Sequence, residues 1–358
     1  MNYKSVTGSG DKAPTVPVWL DCDPGNDDAF AILLAAVHPN FRLLGISTVH
    51  GNAPLERTTA NALALLELMA FKQDEIKVYA GAEKPLVCEP QHAPEVHGES
   101  GLGGANLPPP TLKASEDKGY LEAMRDAILE NKNEIVLVVT GAMTNYYQLV
   151  QKYPEVKQHI RYVSIMGGAA HCGNVTEHAE FNMYCDPHAA AEVLEDTELA
   201  DKTVLSTLNI THTVLATDRV REAIYNEKGE NNSRIRKCYF DLINFYHASY
   251  IRRFGKIKGP AVHDPLAMFM VLIMVSRDHE EYRDFHDACD LNYYKRQTKV
   301  VIDGEHRGET VIQNKDIDPL KQEKGGAYFG QSINMHLFWH YMLRALELAD
   351  EQITARST

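Results

Sequence analysis

Four carboxylates stand within eight residues in the stretch Asp21-Cys22-Asp23-Pro24-Gly25-Asn26-Asp27-Asp28. Acids this close repel one another unless a cation lies among them, and oxygen donors of this kind suit a hard ion such as Ca2+ or Mg2+. The EF-hand pattern does not fit. A loop starting at Asp21 has Asn26 where that motif needs glycine and Ile32 where it needs glutamate. Residues 16–20 (VPVWL) read as a buried strand and residues 29–37 (AFAILLAAV) as a buried helix. Pro24-Gly25 supplies the turn between them. The acids therefore lie where a strand ends and a helix begins, the edge at which open α/β sheets bind ligands.

The same placement recurs along the chain. Residues 41–49 predict a strand ending at His50-Gly51-Asn52. Residues 135–139 (IVLVV) predict one buried on both faces, ending at Thr140-Gly141-Ala142-Met143-Thr144-Asn145. Residues 160–166 end in Met166-Gly167-Gly168, and a loop with Asn174 and Glu180-Phe181-Asn182 follows. Residues 203–208 end near Asn209, Thr211 and His212. In a parallel sheet these ends share one rim. Taken singly, Asn, Asp and Thr are common helix caps; their shared location points to a site. Later in the chain, Val262-His263-Asp264-Pro265 sets a histidine beside a carboxylate. Asp264 is placed to cap a helix beginning at Pro265. His263 is a candidate acid or base whose charge small effects move across neutrality.

Helices are expected from Pro54 to about residue 69, near 119–131, from Asp186-Pro187 with Asp as cap, over about 231–253 and over about 331–349. Residues 77–80 read as a short strand, and residues 298–302 and 309–312 as a late antiparallel pair. The alternation predicts a single open, mainly parallel Rossmann-like α/β sheet with helices on both faces and the active site at the C-terminal strand edge. No linker divides the chain. One domain over 16–350 is expected, with a disordered tail at 1–15 and a C-terminal tail at 351–358. Residues 84–117 lack periodicity. The glycines of His97-Gly98-Glu99-Ser100-Gly101-Leu102-Gly103-Gly104 predict a hinged lid or a flexible connection.

Composition narrows the partners. Of 358 residues, 44% are hydrophobic, normal for a soluble globular chain. Lysine plus arginine total 36 against 49 acids, a formal charge of −13. That charge argues against nucleic acid or an anionic membrane as partner. The six cysteines form no Cys-x-x-Cys, so neither a zinc site nor a redox pair is suggested, and their number suits a reducing compartment. The first fifteen residues lack the apolar centre of a signal peptide, and residues 266–275 are too few to span a bilayer. A cytoplasmic protein acting on a small molecule is expected.

These motifs, in this order, resemble the inosine–uridine-preferring nucleoside hydrolase family. The resemblance covers residues 16–348, and Asp21 to Asp28 is its most specific part. It implies hydrolysis of the N-glycosidic bond of ribonucleosides to ribose and free base, with a bound Ca2+. Asp23, Asp28, Asp264 and the Thr140 carbonyl match its calcium ligands. Asp23 also matches the general base that takes a proton from the calcium-bound water. Asp27, Asn52, Asn174, Glu180 and Asn182 match residues that grip the ribose hydroxyls, and Met166 one that lies against the sugar. His263 matches a histidine that assists the departing base. Asp21 is left as a support that orients its neighbours. His97, Tyr246, His247, Tyr250 and Phe254 are candidates for the base pocket. The chain is similar to the fungal uridine-preferring branch, with inosine, cytidine and nicotinamide riboside as further substrates to consider. The family implies a homodimer or homotetramer. His50 departs from a position often aliphatic in the family.

Two other readings share some of these features. Haloacid-dehalogenase-like phosphohydrolases also begin with strand–Asp-x-Asp, but Pro24-Gly25-Asn26 stands where their pattern has threonine or valine. A calcium-bound ribose- or nucleoside-binding protein would need the same grip on the sugar without the chemistry.

Overall fold

The structure, a computed structural model, describes residues 12–225, 233–313 and 323–357. Its strands are β1 (Val16–Cys22), β2 (Phe41–Thr48), β3 (Val78–Ala80), β4 (Val136–Val139), β5 (Tyr162–Met166), β6 (Thr203–Ser206), β7 (Asn292–Arg296), β8 (Thr298–Val300), β9 (Thr310–Ile312) and β10 (Ala327–Ser332). Eight of them form one sheet in the order β3-β2-β1-β4-β5-β6-β10-β7. All its neighbours run parallel except β7, which lies antiparallel to β10 at the edge. Strands β8 and β9 form the expected separate antiparallel pair.

Helix α1 (Asp28–Val37) follows β1, and α2 (Leu55–Leu68) follows β2. Between β3 and β4 lie α3 (Pro94–His97) and α4 (Tyr120–Glu130), and α5 (Thr144–Lys152) follows β4. Between β5 and β6 lie α6 (Phe181–Cys185), α7 (Pro187–Glu195) and α8 (Thr197–Ala200). Then come α9 (Leu208–Thr211), α10 (Asp218–Tyr225), α11 (Arg234–Phe254), α12 (Asp264–Arg277) and α13 (Arg283–Cys289), with α14 (Met335–Ser357) last.

Alternation along the strands divides the core. Val18 and Leu20 of β1, with Val136 and Val138 of β4, join the layer that holds α1, α12 and α14. Trp19, Leu137 and Val139 point the other way, to α4, α5 and α7. Helix α12 is apolar all round and buried from Asp264 to Ser276. Its apolar run is thus a core helix, and no described helix is long and apolar enough to cross a membrane.

Several boundaries differ from expectation. Helix α14 runs on to Ser357, so residues 351–357 are its last turns and not a tail. Residues 1–11 of the expected N-terminal tail, and residues 231 and 232 of the expected helix, lie outside the described residues. Strands β7 and β10 escaped the sequence reading: β7 is the polar segment NYYKR at an edge, and β10 is interrupted by Gly330. The Gly98–Gly104 run is packed and does not form a free lid. A Cβ at Gly103 would meet the Phe245 ring at 2.2 Å. Asn26 Nδ2 donates to the carbonyls of Gly103 (2.8 Å) and Leu242 (2.9 Å). These glycines allow close approach to α11.

Phe269 of α12 stands at the centre of an aromatic group, with ring centroids 5.2 Å from Tyr341, 5.7 Å from Phe338 and 6.5 Å from Phe285. Phe269→Ala is expected to lower stability by about 3–5 kcal/mol through lost burial and the cavity left behind. Urea unfolding checks this; a loss below about 1 kcal/mol would mean the layer closes over the gap.

Candidate active site

The strand order around β1 reverses direction between β1 and β4, and the carboxyl ends of these two strands open the crevice. Asp23 leaves β1 there and Thr140 leaves β4, held level by the Thr140 N–H donating to Asp21 O (2.8 Å). The Asp23 carboxylate is gripped from two sides. Its Oδ2 accepts from the Asn52 N–H at 2.7 Å. A Cβ at Gly51 would fall 2.0 Å from Oδ2, and one at Gly141 2.8 Å from Oδ1, so only glycine fits at either position. Asp23 Oδ1 is buried and has no hydrogen-bond partner.

Asp28 opens α1. Its Oδ2 accepts from Gly25 N–H (2.9 Å) and Asn52 Nδ2 (3.0 Å), and its Oδ1 from Thr140 Oγ1 (2.9 Å). Asp27 Oδ2 accepts from the His263 N–H (3.2 Å) and the Tyr246 hydroxyl (3.4 Å). Asp264 does not cap α12 as expected. It is the helix's first residue, its preceding neighbour His263 is the N-cap, and no side-chain cap bond forms. Its carboxylate instead turns to the acids: one oxygen each from Asp27, Asp28 and Asp264 lies within 4.8 Å of the others. The N-termini of α1 and α12 therefore converge on one point, where their dipoles favour negative charge.

Burial pushes all four carboxyls up, and mutual repulsion adds to it at Asp23, Asp27 and Asp264. Asp27 reaches about 7; Asp28 is raised chiefly by burial. None of the ion pairs among the described residues involves these acids. A buried group of hard oxygens with an orphaned carboxylate atom fits a divalent cation. One oxygen each of Asp27, Asp28 and Asp264 is placed to hold one, a grouping that does not include the expected ligand Asp23. Asp21 lies beneath: its Oδ1 accepts from Ser47 Oγ (2.5 Å) and Asn145 Nδ2 (2.7 Å), tying β1 to β2 and α5.

Above this floor is a cavity of about 140 Å3. Asp27, Asn52, Thr140, Met166, Asn174, Glu180, Asn182 and Asp264 line it, as do His97, Tyr246, Tyr250, Phe254 and His263. On one flank, Asn182 Nδ2 donates to the carbonyls of Thr140 (2.8 Å) and Met166 (3.2 Å). Glu180 caps α6, accepting from the N–H groups of Asn182, Met183 and Gly168, and burial still raises it to about 7. Asn174 Oδ1 accepts from the Phe181 N–H at 2.8 Å, and its carbonyl accepts from Arg253.

The other flank is aromatic. His97 Nδ1 accepts from the Asn26 N–H (3.1 Å), its ring tilts against Tyr246, and burial lowers it to about 3. The Tyr250 hydroxyl sits 2.6 Å from His263 Nε2, while His263 Nδ1 faces Thr211 Oγ1 at 2.7 Å. Burial, with His212 and His97 nearby, lowers His263 well below its usual value and keeps the ring neutral.

Two expectations fail here, and the place of His50 is settled. His247 does not line the cavity, and its Nε2 is buried without a partner. Asn209 is exposed and pairs with the backbone of Ala170 instead of joining the rim. His50 stays out of the cavity: its Nε2 donates to Thr144 Oγ1 (3.0 Å), which in turn donates to Asp186 (2.7 Å). Sequence reasoning missed Phe181, His212 and Arg253 as lining residues and Thr211 as the partner of His263. Phe181 lay inside a quoted motif, and Thr211 and His212 at a strand end. Arg253 carried no signal beyond its place one turn after Tyr250.

Fold and site together define an open α/β protein with a small-molecule cavity over a buried acid floor at its strand edge. Residues 18–340 match the profile of the inosine-uridine preferring nucleoside hydrolases. The chain is 42% identical to the uridine nucleosidase of Saccharomyces cerevisiae over 346 residues, covering 95% of this chain and 98% of that protein. It is 36% identical to a pyrimidine-specific ribonucleoside hydrolase of Escherichia coli over 72% of this chain and 79% of the relative. Among solved structures, a purine-preferring ribonucleoside hydrolase from Gardnerella vaginalis superposes with a TM-score of 0.79 at 26% identity, covering 94% of this chain and 99% of that one. A plant nucleoside hydrolase gives 0.76 at 26% identity, covering 96% and 100%. The chain belongs to the inosine–uridine preferring nucleoside hydrolase family. It is an enzyme of the N-ribosyl hydrolase class, and the phosphohydrolase and pure binding-protein readings fall with that membership.

The raised carboxyls set a pH signature. Asp27 titrates near 7 in the fold against 3.8 ordinarily. Folding thus favours the protonated acid; without a cation, that stability is complete below the ordinary value and is lost as pH rises through about 7. A bound divalent cation offsets this loss. The gap in thermal midpoint between calcium-loaded and chelator-treated protein should widen from about pH 5 to about pH 8. A gap that stays flat or narrows would show that the acids are not the cation's site.

Proposed function

We propose that the chain hydrolyses the N-glycosidic bond of ribonucleosides, uridine foremost, releasing ribose and the free base. One observation carries the reading: an oxygen-rich acid floor lies under a cavity with amides on one flank and a Tyr250–His263 hydrogen bond on the other. The name and full coverage of the yeast relative support uridine. Cytidine, inosine and nicotinamide riboside follow as further candidates.

Asp23, Asp28, Asp264 and the Thr140 carbonyl hold calcium in this reading, and the ion's contribution is to orient the sugar diol and acidify the attacking water. Asp23 Oδ1, buried and unpartnered, is the base that takes the water's proton. Asp27, Asn52, Asn174, Glu180 and Asn182 bind the ribose hydroxyls, and Met166 packs against the sugar. As the bond from sugar to base breaks, its electron pair leaves with the base and positive charge grows on the ring. The surrounding carboxylates stabilise that charge. The departing base needs a proton. His263 is neutral and has no proton to give up, so it serves by positioning Tyr250 through their hydrogen bond: the tyrosine hydroxyl donates a hydrogen bond to the leaving base, which takes its proton from solvent as it departs. Tyr246 and His97 shape the pocket around it. The reading extends to a cytoplasmic protein and, as the family resemblance implies, to a homodimer or homotetramer.

A nucleoside panel assayed for reducing sugar, with and without chelator, tests the whole reading. Ribose should appear from uridine and should stop on chelation; no ribose from any nucleoside would overturn it. Deoxyuridine should show kcat/KM lower by about 100-fold or more, since it leaves buried polar partners unfilled. Equal efficiency on the two would remove the hydroxyl grip. Asp23→Asn should lower kcat by roughly 10²–10⁴-fold; near-normal turnover would take the base role from Asp23. His263→Ala should lower kcat with little change in KM, and a loss confined to purines would show that base activation differs by substrate.

A further inference from the structure

A second group of metal-ligating side chains lies outside the acid floor. His178 comes from the loop between β5 and α6, four residues after Asn174 and two before Glu180. His306 and Glu309 come from the turn between β8 and β9. One ligand atom from each of the three lies within 4.8 Å of the others. His306 Nδ1 already sits 2.6 Å from Glu309 Oε2, and the His178 and His306 rings stack with centroids 4.0 Å apart.

The backbone under these residues is built to keep them together. Ala179 and Glu309 form an antiparallel bridge between the two segments. The β8–β9 turn is closed by Gly308 N–H donating to Val301 O (2.7 Å) and Glu309 N–H to His306 O (2.9 Å). Arg307 donates to Tyr184 O (3.0 Å) and lies over the Tyr184 ring at 4.0 Å. A Cβ at Gly308 would meet Tyr184 Cα at 2.7 Å, so the turn seats directly on α6. Both segments are thus anchored independently of the three side chains.

We propose that His178, His306 and Glu309 bind a borderline divalent cation such as Zn2+, which clasps the loop carrying Asn174 and Glu180 to the β8–β9 turn. The donor set decides the class of ion. Two imidazole nitrogens and one carboxylate oxygen suit zinc or its neighbours, with solvent in the remaining position. The acid floor, made of oxygens alone, suits a hard cation instead, so the two sites divide metals between them. The stacked rings must swing until both planes meet the ion. Their surroundings permit it, because His306 is exposed and His178 and Glu309 only half-buried. The site stands apart from the proposed chemistry and does not depend on it.

The test is calorimetric titration of Zn2+ into tag-free protein saturated with Ca2+. One equivalent should bind at micromolar affinity or tighter. His306→Ala should weaken it by more than about 100-fold, since loss of a ligand exceeds the 10–100-fold typical for an outer partner. Glu309→Gln should weaken it too. Co2+ should give the visible bands of a low-coordinate nitrogen-containing site in the parent and lose them in His306→Ala. Hydrogen exchange of residues 172–180 should slow on adding zinc. Equal zinc affinity in parent and His306→Ala, or zinc displaced by excess Ca2+, would place the ion at the acid floor and overturn the site. Zinc bound with unchanged exchange would overturn the clasp.

Discussion

Everything at the working edge of this molecule answers to one constraint: carboxylates are buried together with no cationic side chain among them. Two unit charges about 4 Å apart cost roughly 4 kcal/mol at the effective dielectric of a protein site. Several such pairs rival the entire stability of a domain, about 5–15 kcal/mol. The converging N-termini of α1 and α12 help, but a helix terminus contributes only about 0.3–1 kcal/mol, or about 2 at best. Neutral donors from Asn52, Thr140 and Tyr246 satisfy individual lone pairs without supplying charge. A bound cation is the remaining means of keeping the acids ionised at neutral pH, and the proposed base and oxocarbenium-like transition state would require ionised acids.

That constraint reaches back into the sheet. The floor draws on the ends of β1, β2 and β4 and on two helix starts far apart in sequence. Parallel register places Asp21 beside Val139 and Cys22 beside Thr48, which brings Asp23, Thr140 and Asn52 to one level. Gly51 and Gly141 then let two neighbouring backbones press against one carboxylate. Asp264 is delivered by α12, a helix buried almost throughout. Its position is set by core packing, and the side chain cannot drift without disturbing the layer beneath. The acid floor and the hydrophobic core are thus formed by the same packing.

This explains what could be read in the sequence. The floor was legible because each part is a local signal, a polar residue where an apolar strand stops, and the parallel rule brings such stops to one rim. The outer strands were not. β7 carries Asn, Lys and Arg, which give no apolar strand signal although Lys295 and Arg296 are buried, and β10 is interrupted by glycine. The aromatic wall was legible only in part. On α11, Tyr239 and Tyr246 are both buried and look alike in sequence, yet Tyr239 donates to Ala29 O in the core and Tyr246 to Asp27 in the site. His247 sits next to Tyr246 and turns away. Helical phase alone does not separate core from cavity when one helix serves both. The glycine-rich run was misread for a related reason, since glycine is equally at home in a hinge and in a tight contact.

The division between floor and wall also bears on substrate choice. Superposable enzymes of this fold include one described as purine-preferring, while the yeast relative is described as a uridine nucleosidase. A shared fold therefore does not set the base. The floor is fixed by the sheet, so in the proposed reading selectivity comes from the wall formed by α3, α11 and the Thr211–His212 turn. That wall is not independent of the acid floor. Tyr246 bonds Asp27, His97 bonds Asn26 of the acidic turn, and the Gly103–Phe245 contact locks α11 against the loop that presents His97. A substitution that reshapes the wall for another base pulls on residues that hold the acids. In the proposed reaction these contacts would couple base selection to transition-state stabilisation.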